Sequence, residues 1–156
     1  PIYANALTQI AIKRDFYYAF EERKDVGLPE MILHTIDQAT FNVGDINFLP
    51  IQVMHREMPV LGFRIGDLSY ITDANYISEE EKEKVKGSKI LILNALRKQD
   101  HPTHFNLDQA IALATELKVP TVYFIHFSHQ IGLHDQVTAS LPSGMHLAYD
   151  GLGFSC

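Results

Sequence analysis

The sequence contains a single cysteine, Cys156, among 156 residues. One cysteine excludes a disulfide within the chain and a zinc site built from four thiolates, and it is typical of a protein from a reducing compartment. We therefore expect a cytoplasmic protein. No apolar run approaches the roughly 20 residues that a helix needs to cross a bilayer, so we expect no membrane partner.

Positive charge is also scarce, because 13 Lys and Arg stand against 19 Asp and Glu, for a formal net charge of −6. A chain with this balance lacks the broad basic surface that attracts nucleic acid, so nucleic acid is not expected as a partner. The sequence also lacks a Gly-x-x-x-x-Gly-Lys phosphate loop, a Gly-x-Gly-x-x-Gly fingerprint and a Gly-x-Ser-x-Gly elbow. We therefore expect neither a nucleotide-binding site nor a serine nucleophile of the kinds that these motifs form.

The residues that are present indicate a globular domain, since 46% of them are hydrophobic. Strand patterns at 89–93 and 121–126 alternate with an amphipathic helix at 106–118. The middle of the chain instead predicts antiparallel pairing, with a hairpin over 60–73 that is hinged at Gly66-Asp67. We therefore predict an α/β, layered domain with a mixed sheet flanked by helices.

The flanking segments predict the remaining elements: strands at 1–4, 30–36 and 45–55, helices at 5–20, 78–87 and 133–141, and a charged connection at 21–28. Ser78 and Glu81 have the spacing of a helix capping box, as do Asn106 and Gln109. The final residues, 145–156, predict two short strands that turn at Asp150-Gly151.

Several apolar strands end in a residue that is able to bind a metal or polarise a substrate: His55, Asp73, Asn94 and His126. Side chains at the carboxyl ends of strands gather at one edge of a sheet, where loops leave room for a ligand. Imidazole and carboxylate together suit zinc, manganese or iron, and Asp73 is the candidate for a carboxylate that bridges two metals. Asn94 is interpreted only as a brace for a loop.

Two more histidines, His101 and His104, precede the helix at 106–118. His104 is close enough to the helix start to contact a phosphate or to protonate a leaving oxygen. His101 is interpreted as an exposed loop residue. His34 and His146 lie within strand patterns, which favours a structural role, and His134 is interpreted as an ordinary helix residue.

The stretches "LSYITDAN", "ILILNALRKQDHPTHFNLDQAIALATEL", "VYFIHFSH" and "LPSGMHLAYDGL" resemble, in that order, the C-terminal half of a metallo-β-lactamase-superfamily hydrolase of the PhnP-like cyclic phosphodiesterase branch. The resemblance implies the C-terminal part of an αββα sandwich. It also implies that His55, Asp73 and His126 are metal ligands, that Asp73 is the bridging one, and that His104 contacts the substrate phosphate and assists the leaving group. His129 matches a histidine with a supporting role behind the ligands.

The superfamily's His-x-His-x-Asp-His motif is absent from the sequence, and "HPTH" and "HFSH" do not have its spacing. We therefore expect residues 1–156 to form a single domain that is the C-terminal portion of a longer metallo-β-lactamase fold. The complete enzyme is expected to hold two divalent metal ions, zinc or manganese, and to hydrolyse a small phosphodiester. This chain alone is expected to bind metal weakly and to turn over inefficiently.

A sheet face that is normally packed by the other half of the sandwich is expected to stay apolar, which favours a homo-oligomer, specifically a dimer. Two alternatives stay open. One is an enzyme similar to the tRNA 3′-end endonucleases of the same superfamily, although their His-Phe-Ser run usually continues to Arg-Tyr and here continues His129-Gln130-Ile131. The other is a non-catalytic oligomerising or binding module.

Overall fold

The computed structural model describes residues 1–21 and 27–155. Residues 22–26 of the predicted charged connection and Cys156 lie outside the described residues. The chain separates into two compact units, Pro1–Phe41 and Asn42–Cys156.

The first unit is a small βαβ arrangement. Its elements are β1 (Ile2–Ala4), α1 (Ala6–Asp15), a 3-10 turn (Tyr17–Ala19) and β2 (Leu33–Thr35). Asn5 caps α1, because its side chain accepts a hydrogen bond from the Thr8 backbone N–H. Strands β1 and β2 pair in parallel, and the buried Gln9 side chain donates to the Ala4 carbonyl and to Thr35 Oγ1. The predicted helix at 5–20 is therefore real but ends earlier, at Asp15.

The second unit contains an eight-stranded sheet and three helices. Its strands are β3 (Phe41–Val43, which begins at the last residue of the first unit), β4 (Ile46–His55), β5 (Met58–Ile65), β6 (Leu68–Ile71), β7 (Tyr76–Ile77), β8 (Ile90–Asn94), β9 (Thr121–Ile125) and β10 (Met145–Leu147). Its helices are α2 (Glu79–Val85), α3 (Leu107–Leu117) and α4 (His134–Ser140), with a 3-10 turn at His129–Ile131.

The sheet order is β10-β9-β8-β6-β5-β4-β3, with β7 paired to β4. Strands β6, β8, β9 and β10 are parallel to one another, whereas β4, β5 and β6 form antiparallel pairs. The turn at Gly66 and Asp67 joins β5 to β6, as the sequence predicts. The predicted fold class, a mixed sheet with flanking helices, is confirmed.

One face of this sheet forms the buried core with the helices. Alternate residues of the central strands are fully buried, among them Ile51, Leu91 and Phe124. The amphipathic helix α3 contributes Ala110 and Leu113 to the same cluster. Helix α3 starts as predicted, because Asn106 and Gln109 form a complete capping box. The core therefore fixes the strands whose ends carry the candidate site residues.

The opposite face of the central strands is apolar but less covered. Phe63, Tyr70, Ile92 and Tyr123 are neighbours across the strand registers and therefore share this face. Tyr70 is 38% exposed, and the other three are half-buried. An apolar sheet face of this kind is expected from the sequence. The dimer inferred from it stays a prediction.

Two local expectations are wrong. Ser78 caps α2 through its side chain, but Glu81 does not reciprocate, since its carboxylate instead accepts from the Gln52 backbone N–H and pairs with Lys84. The sequence also predicts a second strand after β10. The described residues 148–155 instead form no strand: the Ala148 N–H still donates to the Phe124 carbonyl, but Tyr149 and Asp150 are exposed to solvent.

No helix among the described residues is long and apolar enough to cross a membrane.

Gly144 allows β10 to approach the segment before β9, and its replacement tests this packing. A Cβ at Gly144 would lie 2.4 Å from the Pro120 carbonyl oxygen, and the backbone φ is +82°. At Gly151 the φ is +90°, but nothing lies within 4 Å. We expect Gly144→Ala to lower the free energy of unfolding by about 3 kcal/mol or more and Gly151→Ala by only about 1 kcal/mol, measured by urea denaturation. Equal losses would contradict the close approach.

Candidate metal centre

The candidate site lies at one edge of the sheet because four of its strands run in the same direction. Strands β6, β8 and β9 are parallel, and β4 shares their direction because β5 runs antiparallel to both β4 and β6. Their carboxyl ends therefore meet at one edge. The residues predicted from the strand ends stand there: His55 at the end of β4, Asp73 after β6, Asn94 at the end of β8 and His126 after β9.

The carboxylate of Asp73 is surrounded by imidazoles. Its Oδ1 lies 3.2 Å from His104 Nε2 and 3.3 Å from His126 Nε2. Its Oδ2 accepts a hydrogen bond of 3.1 Å from the Thr72 hydroxyl. One carboxylate oxygen is thus shared by two histidines from different loops.

Three imidazole rings pack together around this carboxylate. The His104 ring centroid lies 4.8 Å from that of His55, nearly perpendicular to it, and 4.8 Å from that of His126, nearly parallel to it. One potential ligand atom from each of His55, Asp73 and His104 falls within 4.8 Å of the others. The structure therefore brings together the three predicted ligands and the predicted catalytic His104, and it places His104 as close to the carboxylate as His126.

The backbone at two of these positions is unusual. Asp73 has φ +54° and His126 has φ +57°, in the left-handed region that side-chain-bearing residues seldom adopt. Such conformations are costly and concentrate at functional sites, where the surrounding structure holds them. His126 directly follows β9 and Asp73 lies two residues after the end of β6, and their side chains meet, with Asp73 Oδ1 3.3 Å from His126 Nε2.

The buried Asn94 holds the loop that carries Asp73. Its side chain is fully buried, accepts a 2.9 Å hydrogen bond from the Ala74 N–H and donates one of 2.9 Å to the Ala74 carbonyl. Both backbone groups of the residue next to Asp73 are therefore satisfied by one amide. The interpretation of Asn94 as a loop brace is confirmed.

Asn75 joins three loops of the site, and sequence reasoning missed it. Its Oδ1 accepts from the Arg56 N–H at 2.8 Å, its Nδ2 donates to the Pro102 carbonyl at 3.0 Å, and its backbone N–H donates to Met54. These contacts tie the segments after β4 and β6 to the loop before α3. The only sequence signal is the position of Asn75 two residues after Asp73, which is also typical of an ordinary turn.

The loop before α3 orients His104. The His104 side chain is 10% exposed, and its Nδ1 lies 2.7 Å from Thr103 Oγ1 and 3.2 Å from His101 Nδ1. The expectation that His101 is an exposed loop residue is wrong, since His101 is half-buried against His104. Local sequence gave no sign of this contact because it depends on how the loop folds back on itself.

The remaining histidines lie apart from this cluster. His129 is exposed in the 3-10 turn. Within the described part of the chain it makes no hydrogen bond or ring contact with the cluster, so no observed contact supports its predicted role. His34 stacks on Tyr3 in the first unit, and His146 lies against Tyr123, in accord with structural roles. His134 begins α4, and its ring lies near Phe127 and Tyr149.

The pKa values of Asp73 and His104 are both lowered, which favours an ionised carboxylate and a neutral imidazole. Burial raises the pKa of Asp73, but hydrogen bonds from His104 and Thr72 and the nearby imidazoles outweigh it, so the net pKa lies below the ordinary value. Burial lowers the pKa of His104 and outweighs the opposing hydrogen bond to Asp73. An ionised carboxylate beside a neutral imidazole is the protonation state that metal ligation requires.

The chemistry of this donor set fits a divalent metal. Imidazole nitrogens with one carboxylate are typical ligands of zinc, manganese and iron. His55, Asp73 and His126 would hold the metal, and the sharing of Asp73 Oδ1 between two histidines is compatible with a bridging position. Their roles as ligands stay predictions.

The lowered pKa of His104 predicts how stability depends on pH. In metal-free protein the folded state takes up a proton at His104 less readily than the unfolded state, whose ordinary pKa is 6.5. Acidification through this range therefore lowers the free energy of unfolding. We expect wild type to lose more stability than His104→Gln between about pH 7 and about pH 5, measured by urea denaturation with a chelator present. A larger loss in the variant would contradict the direction of the shift.

Because Asn94 supports the loop that carries Asp73, we expect its replacement to lower both the stability of the fold and the affinity for metal. Asn94→Ala leaves the buried Ala74 N–H unpaired and removes one of the two hydrogen bonds to the Ala74 carbonyl, which keeps the one from the Phe105 N–H, so we expect a loss of about 1–3 kcal/mol in unfolding free energy. We also expect Zn²⁺ affinity to fall by about tenfold or more, since Asp73 loses its support. Both are measured by urea denaturation and zinc titration.

The matched control is Ser69→Ala, which removes the buried 2.8 Å hydrogen bond between Ser69 and Ser88 away from the site. It should cost about 1 kcal/mol and leave Zn²⁺ affinity unchanged. An Asn94→Ala protein that binds zinc as well as the Ser69→Ala protein would refute the positioning role.

Comparison with known proteins supports the resemblance found in the sequence. A solved structure described as a new diphosphatase from the PhnP family superposes with a TM-score of 0.89 at 35% identity, covering 97% of this chain and 56% of that one. The zinc-bound PqqB of Methylobacterium extorquens matches with a TM-score of 0.68 at 16% identity, covering 99% of this chain and 61% of that one, which shows the shared fold.

A curated relative from Porphyromonas gingivalis strain W83, named octanoyltransferase, is 33% identical over 153 residues. The match covers 97% of this chain but only 31% of that protein. The chain thus spans about half or less of the length of these two most similar relatives.

The profile of a family described as beta-lactamase superfamily domain matches residues 1–127. The mixed sheet, the edge position of the site and the structural match agree with this family and with the PhnP-like branch of the metallo-β-lactamase fold. The chain belongs to the beta-lactamase superfamily.

Proposed function

We propose that this chain supplies part of the two-metal site of a hydrolase that cleaves phosphodiester bonds. The observation that carries the proposal is the carboxylate of Asp73, whose Oδ1 lies within 3.3 Å of imidazole nitrogens on two different loops. The similarity to a protein described as a PhnP-family diphosphatase supports phosphorus chemistry. Because the chain spans 56% of that structure, the activity is proposed for the whole protein.

The site residues of this chain are proposed to have two roles, metal ligation and proton transfer. When bound, two divalent ions supply a hydroxide nucleophile and neutralise charge on the phosphate. His55, Asp73 and His126 would hold the ions. Zinc fits these donors well, and manganese is the second choice.

His104 is proposed to deliver a proton to the leaving oxygen. Its Nε2 faces Asp73, an ionised acceptor, so Nε2 must carry the ring proton. Its Nδ1 then accepts from the Thr103 hydroxyl at 2.7 Å, which fixes the tautomer and the ring orientation. To act as a general acid, His104 must first take up a second proton at Nδ1, so that the imidazolium gives its Nε2 proton to the leaving oxygen and returns to the neutral ring.

Metal analysis of single variants tests the division of roles. We expect His55→Ala, Asp73→Asn and His126→Ala to lose bound Zn²⁺, because each removes a ligand. In the whole protein, His104→Ala should retain the metal but lose about 10²–10⁴-fold in kcat on a phosphodiester with an alkyl leaving group, whose leaving oxygen needs a proton. Metal content is measured by elemental analysis of the purified protein, and rates are measured at saturating Zn²⁺.

His129→Ala is the matched control, because His129 is exposed and lies outside the cluster. It should keep both metal and rate. Loss of metal in His104→Ala would make His104 a ligand instead. Unchanged metal content in both His55→Ala and His126→Ala would favour the non-catalytic binding module over the hydrolase.

A further inference from the structure

A cavity adjoins the candidate metal centre and has no role in the function proposed above. Its volume is about 540 Å³, within the range of small-molecule sites. Its lining comes from three segments: the end of β9 and the residues after it, the first residue of α4, and the residues that follow β10. The lining residues are Ile125, His126, Phe127, His134, Ala148, Tyr149 and Asp150.

The cavity borders the metal centre at His126. This histidine lines the cavity and also lies 3.3 Å from the Asp73 carboxylate. A phosphate ester bound at the metal centre would therefore have the cavity beside one of its substituents. The chemistry of the lining decides which substituent fits.

Aromatic rings dominate the cavity wall. The His134 ring centroid lies 6.5 Å from that of Phe127 and 6.4 Å from that of Tyr149. The Tyr149 side chain is unusually open for an aromatic residue, since Tyr149 is 61% exposed. These surfaces are suited to contact another planar ring, either stacked or edge-on.

The polar groups of the lining select against an anionic substituent. The residues that line the cavity include no Lys or Arg, and Asp150 is the acidic residue among them. The Asp150 carboxylate is instead an acceptor for a hydrogen-bond donor on an uncharged ligand.

We propose that this cavity binds an uncharged heteroaromatic group of the nucleoside class, carried as one ester substituent of the substrate. The ring lies against Phe127 and Tyr149, and an amino group on the ring donates to the Asp150 carboxylate. This inference rests on the proposed phosphodiesterase function, and it narrows the substrate to esters with a planar base rather than a second phosphate or a plain sugar.

Binding of adenosine to the protein, followed by NMR, tests the cavity without phosphate or metal. We expect adenosine, at about millimolar concentration, to shift the methyl resonances of Ile125 and Ala148, whereas ribose leaves them unchanged. Tyr149→Ala should weaken adenosine binding by about tenfold, since an aromatic contact to the base is lost. Tyr76→Ala is the matched control, because Tyr76 is also an exposed aromatic, at 58%, but lines a different cavity.

Equal shifts from ribose, no shifts from adenosine, or unchanged affinity in Tyr149→Ala would overturn the proposal. A separate titration of Zn²⁺-loaded protein with inorganic phosphate tests the proposed function. Adenosine binding without phosphate binding would leave the heteroaromatic cavity in place and remove the phosphodiesterase assignment. Phosphate binding without adenosine binding would do the opposite.

Discussion

The Asp73 carboxylate is the constraint on which the rest of this site depends. It is an anion at the end of an apolar strand, and one of its oxygens is shared by His104 and His126. Burial lowers the pKa of His104, and the nearby imidazoles lower it further, so this ring is neutral beside the ionised Asp73 carboxylate. The same state is the one that accepts a divalent cation.

This arrangement is held by residues that never face the site. Asn94 satisfies both backbone groups of Ala74, and Asn75 connects the segment after β4 to the loop before α3. These amides, of which Asn94 is fully buried, support Asp73 in its left-handed conformation, with φ +54°. The backbone is thereby fixed by hydrogen bonds whose loss is costly, and the positions of the candidate ligands are set by the protein itself.

The side chains on the two sides of His126 also differ in chemical character. Toward Asp73 and His55 the groups are imidazole and carboxylate, which suit a cation and the phosphate it attracts. Toward Phe127 and Tyr149 the surface is aromatic and without basic residues, which suits an uncharged ring. His126 thus borders both environments.

Sequence alone determined the mixed fold class and most strand positions, because apolar runs and turn residues such as Gly66 specify strands and turns from residues that are close together in the sequence. It also placed His55, Asp73 and His126 at strand ends, since each run stops abruptly at a polar residue. Only the tertiary structure decided that these ends meet, because strand order is a non-local property. Tertiary structure likewise brought His101 against His104 and made Asn75 a link between loops, since such contacts depend on how distant segments pack and leave no local signal.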